Sequence, residues 1–219
     1  MRNRLIEVGV LLCLGAAALS AASFPEPPKE SAPAEAKATA VLAGGCFWGM
    51  QGIYEHMKGV TETSVGFAGG DKKTALYDTV SEGNTGHAES IKITYDTTKI
   101  SYGDLLKVFF AAAHDPTTLN RQHYDVGTQY RSVIFYANDD QKKMAESYIA
   151  ELNNAHVFKS PIVTQVLPLK GFYAADGPDR EHQHFLDHNP TQGYIAAVDI
   201  PLQKEFKEKF PEFWVKESK

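Results

Sequence analysis

The chain has 219 residues, of which 43% are hydrophobic and 11% aromatic, values that are ordinary for a soluble globular protein. The formal net charge is only −5 at pH 7 and no run of Lys or Arg stands out, so there is no reason to expect nucleic-acid binding. The length suits one catalytic domain plus an appendage.

Residues 1–22 have the layout of a secretory signal peptide. Arg2 and Arg4 precede an apolar run, and the small residues SAAS follow it. The run is too short for a comfortable membrane span. We therefore expect cleavage near Ala22 and an exported protein, either periplasmic or extracellular. An uncleaved, membrane-tethering anchor is one alternative, and a lipoprotein signal at Cys13 is a second, disfavoured one.

Residues 23–37 are predicted to form a disordered linker. They read SFPEPPKESAPAEAK, with four prolines, several charges and no apolar periodicity. The folded domain is then expected to span 38–219. Of the two cysteines, Cys13 lies in the predicted signal, so the mature chain would keep Cys46 alone. An internal disulfide and a zinc site built from several thiolates are thereby excluded.

The first elements of the domain place Cys46 at a turn. ATAVLAG, residues 38–44, is typical of a short buried strand. Apolar residues then recur with helical spacing from Phe47 to Met57, and Gly59 fits the C-terminal cap. Cys46 is therefore predicted to lie in the first turn of this helix.

The remaining elements alternate between strands and helices, which indicates a single α+β domain with a mixed sheet and flanking helices. In chain order they are a strand from Val60, the strand HAESIKITYD (87–96), a helix capped by Ser101 that closes before Pro116, the strand YRSVIFYA (130–137), a helix capped by Asn138, the strand PIVTQVLPL (161–169) and a C-terminal helix from Pro201 broken at Pro211.

The surroundings of Cys46 favour a reactive thiol. A helix N-terminus stabilises the thiolate, which is the nucleophilic form of cysteine. Gly44 and Gly45 let other groups approach closely, and Phe47 and Trp48 supply apolar walls. The alternative is a buried structural cysteine.

Glu89 is the second candidate. It alternates onto the same strand face as Ile91, Ile93 and Tyr95. If that face is buried, desolvation raises the pKa of the carboxyl, which can then act as an acid. If the end of the strand is exposed, Glu89 is simply solvated.

Four blocks together, GGCFWG, GNTGHAESIKITYD, ISYGDLLKVFF with HDPT, and DVGTQYRS, resemble the A-type methionine sulfoxide reductases over roughly residues 38–190. Members of that family reduce the S epimer of methionine sulfoxide, in proteins and as the free amino acid. The resemblance implies a peptide-methionine (S)-S-oxide reductase with an α+β roll similar to a ferredoxin-like core. It implies no bound cofactor and no metal, but a requirement for an external thiol reductant.

The resemblance also implies residue roles. Cys46 of GCFWG would attack the sulfoxide sulfur, and Phe47 and Trp48 would hold the substrate methyl group. Glu89 of GHAE would protonate the sulfoxide oxygen, a poor leaving group until it is protonated. The products would be methionine and a cysteine sulfenic acid.

Three further residues are carried over from the same motifs. Tyr77 and Tyr130 would donate hydrogen bonds to the sulfoxide oxygen, and Asp125 would support the site.

This chain departs from many relatives in lacking further cysteines. The tail reads NPTQGYIAAVDIPLQKEF, and Ser81 stands where some relatives have a cysteine. Tyr124 also replaces the usual residue before Asp125, which could alter the entrance to the site. We therefore expect a one-cysteine enzyme that is a monomer. It would repair oxidised exported proteins and be regenerated by a small thiol or a glutaredoxin-like or thioredoxin-like protein.

Five histidines are candidates for a functional role. The spacing of His182, His184 and His188 could suggest a metal, but structural or polar-surface roles are favoured. His87 is expected to shape the turn before Glu89. His114 is expected at a helix C-terminus, where its charge would favour the dipole.

Two other protein classes remain as alternatives. A cysteine hydrolase would need a histidine paired with Cys46 and an oxyanion hole. A non-enzymatic extracellular binding module would leave Cys46 structural.

Overall fold

The computed structural model describes residues 24–30 and 35–218. The predicted signal, residues 1–22, lies outside this part of the chain, so its cleavage stays a prediction. Within the described ranges, none of the helices combines the length and apolarity needed to cross a bilayer.

The described residues form a six-stranded sheet and a small separate hairpin. The strands are β1 (Lys37–Ala43), β2 (Val60–Ala68), β3 (Ala88–Asp96), β4 (Arg121–Gln122), β5 (Asp125–Val126), β6 (Val133–Tyr136), β7 (Gln165–Pro168) and β8 (Phe172–Ala174). The sheet order is β7-β6-β1-β3-β2-β8, and β4 pairs with β5 in the hairpin. Only β6 and β7 run parallel within the large sheet; its other pairs are antiparallel. The predicted α+β fold with a mixed sheet is confirmed.

Helices flank this sheet. They are α1 (Phe47–Tyr54), α2 (Tyr77–Ser81), α3 (Tyr102–Val108), α4 (Asp139–Asn154), α5 (Phe185–His188) and α6 (Ile200–Lys209). The predicted caps are confirmed. Ser101 and Asp104 form a reciprocal capping box at α3, and the Asn138 side chain accepts a hydrogen bond from the backbone amide of Gln141 at α4.

The main core lies between the sheet and helices α1, α3 and α4. On β3 the side chains alternate as predicted, because Ile91 and Ile93 are fully buried while Lys92 is partly exposed. The Tyr54 hydroxyl of α1 donates to the carbonyl of Leu105 in α3 at 2.9 Å, which satisfies a phenol inside the core.

Two predicted boundaries were wrong. Helix α1 ends at Tyr54 instead of near Gly59, because the chain turns there and Met57 forms a β-bridge with Trp214 of the tail. Tyr130 does not lie in a strand; it closes a short 3₁₀ turn, Thr128–Tyr130, before β6.

Residues 24–30 lie against α3 and α4, which differs from the disordered linker expected there. The Phe24 ring meets Phe158 edge to face, with centroids 6.2 Å apart. The Tyr148 hydroxyl donates to the carbonyl of Pro25 at 2.6 Å, and Lys107 pairs with Glu26 at 2.5 Å. The polar, proline-rich composition of this segment predicted disorder, although its single aromatic residue, Phe24, packs against the domain. The domain boundaries themselves stay a prediction.

Candidate active site

Cys46 is the N-cap residue of α1 and follows β1 after Gly44 and Gly45. It lies at the predicted strand-to-helix turn, one position before the first helical residue. The preceding glycines are required by close neighbours. Gly45 has φ of +96°, and a Cβ there would lie 2.6 Å from Cγ of Gln122. A Cβ on Gly44 would lie 2.9 Å from Cγ of His114. The two glycines therefore allow the buried side chains of Gln122 and His114 to pack closely against the turn that carries Cys46.

The Cys46 side chain is partly exposed, and its surroundings disfavour the thiolate. Burial raises the pKa of the Cys46 thiol well above its ordinary value, and the carboxylates of Glu89 and Asp199 add to this. A hydrogen bond from the backbone amide of Trp48 acts in the opposite direction. Desolvation therefore acts against the stabilisation of the thiolate that a helix N-terminus provides, and the reactivity of Cys46 stays a prediction.

Glu89 lies on β3 opposite Phe67 of β2 and is only 2% exposed, so the solvated alternative is wrong. Its Oε2 accepts a hydrogen bond from the backbone amide of Phe47 at 3.1 Å. Burial raises the pKa of Glu89 to about 8, although the Phe47 amide lowers it, and Asp125 and Asp199 raise it further. At neutral pH the carboxyl beside Cys46 is mostly protonated.

Tyr77 and Tyr130 border the same site. Tyr77 begins α2, where its amide donates to Oδ2 of Asp179 at 2.8 Å. Burial, followed by the charge of Glu89, raises the pKa of both phenols above their ordinary value, and the charge of Cys46 acts on both as well. Both hydroxyls therefore keep their protons at neutral pH and can donate hydrogen bonds.

Aromatic rings enclose the region beside the thiol. Phe47 is fully buried and stacks with Tyr77 at 6.1 Å between centroids. Trp48 stacks on Phe185 of α5 at 4.0 Å. Its indole N–H donates to Nδ1 of His182 at 3.2 Å. These walls are largely apolar, which suits contact with a methyl thioether.

His182 is part of this wall. Its ring stacks on Tyr77 at 3.8 Å, and burial lowers the pKa of the imidazole, which is therefore neutral at neutral pH. Because Nδ1 accepts from Trp48, the ring carries its proton on Nε2. The sequence favoured a structural or polar-surface role for His182. It gave no sign that this ring would stack on both Tyr77 and Trp48.

Asp125 enters the site from the β4–β5 hairpin and is half-buried. It accepts a hydrogen bond from the hydroxyl of Tyr194, whose ring meets Trp48 edge to face at 6.2 Å. Burial raises the pKa of Asp125, while the Tyr194 hydrogen bond lowers it.

Tyr194 and Asp199 were missed by the sequence reasoning, which noted their segment only for its lack of cysteine. Asp199 is 2% exposed, and its Oδ2 has no hydrogen-bond partner among the described residues. Burial raises the pKa of Asp199 to about 7, and Asp125 adds to this. A Cβ on Gly49 of α1 would lie 2.5 Å from Oδ1 of Asp199, so this glycine admits the carboxyl to the helix that carries Cys46.

The other weighed histidines serve the scaffold. As predicted, His87 shapes the turn before Glu89: its Nδ1 accepts from the Gly70 amide at 3.2 Å, and its Nε2 donates to the Asp71 carbonyl at 2.9 Å. The role expected of His114 is corrected, because burial lowers its pKa to about 4 and the ring carries no charge to favour a dipole.

The geometry disfavours a cysteine hydrolase. Among the hydrogen bonds of the described residues, none joins a histidine to the Cys46 thiol, whereas that chemistry needs such a base. The groups that surround Cys46 are instead acids and phenols, which suit protonation of an oxygen on the substrate.

Comparisons with known proteins agree with this chemistry. A family model described as peptide methionine sulfoxide reductase matches residues 38–213. The chain is 51% identical to the peptide methionine sulfoxide reductase MsrA 2 of Mesorhizobium japonicum over 173 residues, which covers 79% of this chain and 87% of the relative. It is 40% identical to the protein of the same name from Synechocystis over 93% of this chain and 96% of the relative.

Solved structures show the same fold. The reduced form of Mxr1 from Saccharomyces cerevisiae has a TM-score of 0.66 at 33% identity and covers 75% of this chain and 91% of its own. Methionine sulfoxide reductase A of Corynebacterium diphtheriae has a TM-score of 0.60 at 32% identity, with 77% and 87% covered. From its sequence blocks, its fold and these relatives together, the chain belongs to the A-type peptide methionine sulfoxide reductases.

Proposed function

We propose that the chain performs its family's reaction, thiol-dependent reduction of methionine-(S)-sulfoxide, through a sulfenic acid on Cys46. The substrate methyl group would lie against Phe47 and Trp48, with the sulfoxide oxygen directed toward Glu89, Tyr77 and Tyr130. Free methionine sulfoxide and oxidised methionine in proteins would both be substrates.

In the reductive step, the Cys46 sulfur attacks the sulfoxide sulfur while Glu89 donates a proton to the sulfoxide oxygen. The oxygen passes to Cys46 and the Cys46 thiol proton is returned to Glu89, so the products are methionine and the sulfenic acid. The substrate sulfur gains two electrons and Cys46 loses two. The neutral phenols hold the oxygen as negative charge develops on it.

The hydrogen bond between Glu89 and the amide of Phe47 is the observation that carries this proposal. It fixes a buried carboxyl beside the residue that follows the nucleophile. With a pKa of about 8, this carboxyl keeps its proton at neutral pH yet can release it, which is what a general acid requires. A neutral Glu89 also repels a forming Cys46 thiolate less than a carboxylate would.

Regeneration is proposed to need an external thiol. One thiol attacks the Cys46 sulfenic acid, releases water and leaves a mixed disulfide; a second thiol then frees Cys46 as the reduced cysteine. The support is that Cys46 is the one cysteine in the described part of the chain, and that Cys13 lies in the predicted signal. Small thiols, glutaredoxin-like proteins and thioredoxin-like proteins are the candidate donors.

We also propose that the mature protein is exported and repairs oxidised proteins outside the cytoplasm. The signal-like residues 1–22 support this. N-terminal sequencing of protein recovered from the expressing cells tests it, with a start near Ser23 expected and a start at Met1 contradicting cleavage.

The reaction is tested by supplying each sulfoxide epimer with a monothiol reductant. We expect methionine from the S epimer alone, and none from Cys46→Ser, whose hydroxyl is a far weaker nucleophile. Circular dichroism should show that the variant keeps its fold. More than trace turnover by pure Cys46→Ser, or equal turnover of both epimers, would overturn the assignment.

A further inference from the structure

A second cluster of polar side chains lies at the end of α1 opposite Cys46. Glu55 and His56 follow the last turn of this helix, and Asp187 comes from α5. One potential ligand atom from each of the three lies within 4.8 Å of the other two. The proposed reduction uses none of these residues.

The hydrogen bonds of the cluster leave one oxygen of Glu55 without a partner among the described residues. One carboxylate oxygen of Glu55, Oε2, accepts from Nδ1 of His184 at 2.7 Å. The other, Oε1, is fully buried and has no hydrogen-bond partner among the described residues. Burial raises the pKa of Glu55 to about 8, so the group keeps its proton at neutral pH when no ion is bound. A cation that binds there would displace this proton.

The His56 ring is oriented as a metal ligand is. Its Nδ1 lies 3.0 Å from the carbonyl of Val215, so the N–H on that side donates and Nε2 keeps a free lone pair. The ring is also held by stacking on Trp214 at 4.7 Å. Nε2 faces Oδ1 of Asp187 at 3.9 Å, which is too long for a hydrogen bond. Two ligands about 2.1 Å from one tetrahedral ion are roughly 3.4 Å apart, so a small inward movement would let both bind it.

The Glu55 side chain is also held in place by neighbouring hydrogen bonds. The backbone amide of His184, a residue in the left-handed conformation with φ of +53°, donates to Oε1 of Gln51 at 2.6 Å. This contact holds the imidazole of His184 against the Glu55 carboxylate, as outer partners do for ligating carboxylates. The Asp187 side chain is 32% exposed, which gives an ion a path from solvent.

We propose that Glu55, His56 and Asp187 bind one divalent transition-metal ion of the Zn²⁺ class, with water completing its coordination. Imidazole nitrogen with two carboxylates suits Zn²⁺ better than Mg²⁺ or Ca²⁺, which prefer oxygen alone. The sequence reasoning, which considered His182, His184 and His188 as a group, expected no metal. Local spacing does not reveal this group, because Glu55 and His56 follow α1 whereas Asp187 lies in α5.

The ion would have a structural role. It would join the end of α1 to α5, and α5 carries the Phe185 ring that stacks on Trp48. No step of the reduction passes through it.

Zinc binding to the chelator-treated, untagged chain tests the proposal. Isothermal titration with Zn²⁺ should be done in the Cys46→Ser background, so that the active-site thiol does not compete. We expect one bound ion and a higher melting temperature with Zn²⁺. His56→Gln and Asp187→Asn should weaken binding roughly tenfold or more. The exposed controls His156→Gln and Asp140→Asn should bind as the parent does.

Substitution with Co²⁺ gives a second measurement that does not depend on the variants' stability. A site with His56 as ligand should give visible absorption bands that Zn²⁺ removes. Failure of the parent to bind Zn²⁺, or binding that His56→Gln and Asp187→Asn leave unchanged, would overturn the proposal.

Discussion

The Glu89 carboxylate accepts a hydrogen bond from the backbone amide of Phe47 at 3.1 Å, and this contact ties strand β3 to the first turn of α1. Phe47 directly follows Cys46, so a buried acid and the candidate nucleophile are held at a fixed separation. The Glu89 oxygen also satisfies the amide of Phe47, one of the free N–H groups of a helix N-terminus. This one hydrogen bond therefore stabilises the helix terminus and also positions the acid near Cys46.

The acid role predicts a large effect for Glu89→Gln. The amide oxygen of Gln can still accept from Phe47, but the group can no longer donate an acidic proton. We expect the reduction step to slow by roughly 10²–10⁴-fold. Single-turnover rates measure this directly. Glu62→Gln, on the exposed face of neighbouring β2, is the matched control and should behave as wild type. A near-normal rate in Glu89→Gln would remove the acid from the mechanism.

The raised pKa of Glu89 also predicts how stability depends on pH. The folded protein keeps this proton up to about pH 8, whereas the unfolded chain releases it near 4.5. Stability should therefore fall as pH rises between these two values, because the unfolded state gains from ionisation first. Denaturant unfolding across this range should show a smaller fall in Glu89→Gln. Asp199, with a pKa of about 7, should account for part of what remains. An identical slope in both proteins would contradict the burial argument.

Tyr77 and Tyr130 should partly compensate for each other, because each can donate a hydrogen bond to the sulfoxide oxygen. Tyr130→Phe removes one neutral hydrogen bond, worth about two- to tenfold in rate, while Tyr77 still donates. The double variant Tyr77→Phe/Tyr130→Phe should lose more than the sum of the two single effects on the free-energy scale. Single-turnover rates of the four proteins complete the cycle. Strict additivity would mean that the phenols do not share one oxygen.

The glycine before Cys46 is predicted to be structurally required. Gly45→Ala places a Cβ in a left-handed conformation and 2.6 Å from Gln122, so we expect a loss of at least about 1 kcal/mol in the free energy of unfolding. Gly193→Ala, in a helical turn where a Cβ meets nothing within 4 Å, is the control and should not lower the free energy of unfolding. Equal stability of the two variants would show that the turn relaxes freely.

Local patterns in the sequence were enough to place Cys46 at a strand-to-helix turn and Glu89 on the same strand face as Ile91 and Ile93, but they left open whether Glu89 is buried. They also located the caps at Ser101 and Asn138. The resemblance to a family then named Tyr77, Tyr130 and Asp125, whose roles remain predictions.

Long-range contacts were beyond the sequence. His182, Tyr194 and Asp199 reach the site because the last part of the chain folds back over α1, and no local periodicity encodes that return. The direction in which the pKa of Cys46 shifts could not be predicted for a similar reason. The helix terminus is visible in the sequence, whereas the burial and carboxylates that outweigh it come from other segments. The contact of Phe24 with Phe158 was likewise hidden by a composition typical of disorder.

The stoichiometry of a single turnover tests the central claim most directly. The mature, fully reduced enzyme is mixed with excess S sulfoxide and no reductant, methionine is quantified, and the protein is analysed by mass spectrometry. Because Cys46 has no partner thiol in the mature chain, we expect one equivalent of methionine per enzyme and a gain of one oxygen atom at Cys46. Two or more equivalents of methionine, an oxygen located elsewhere, or an internal disulfide would contradict it.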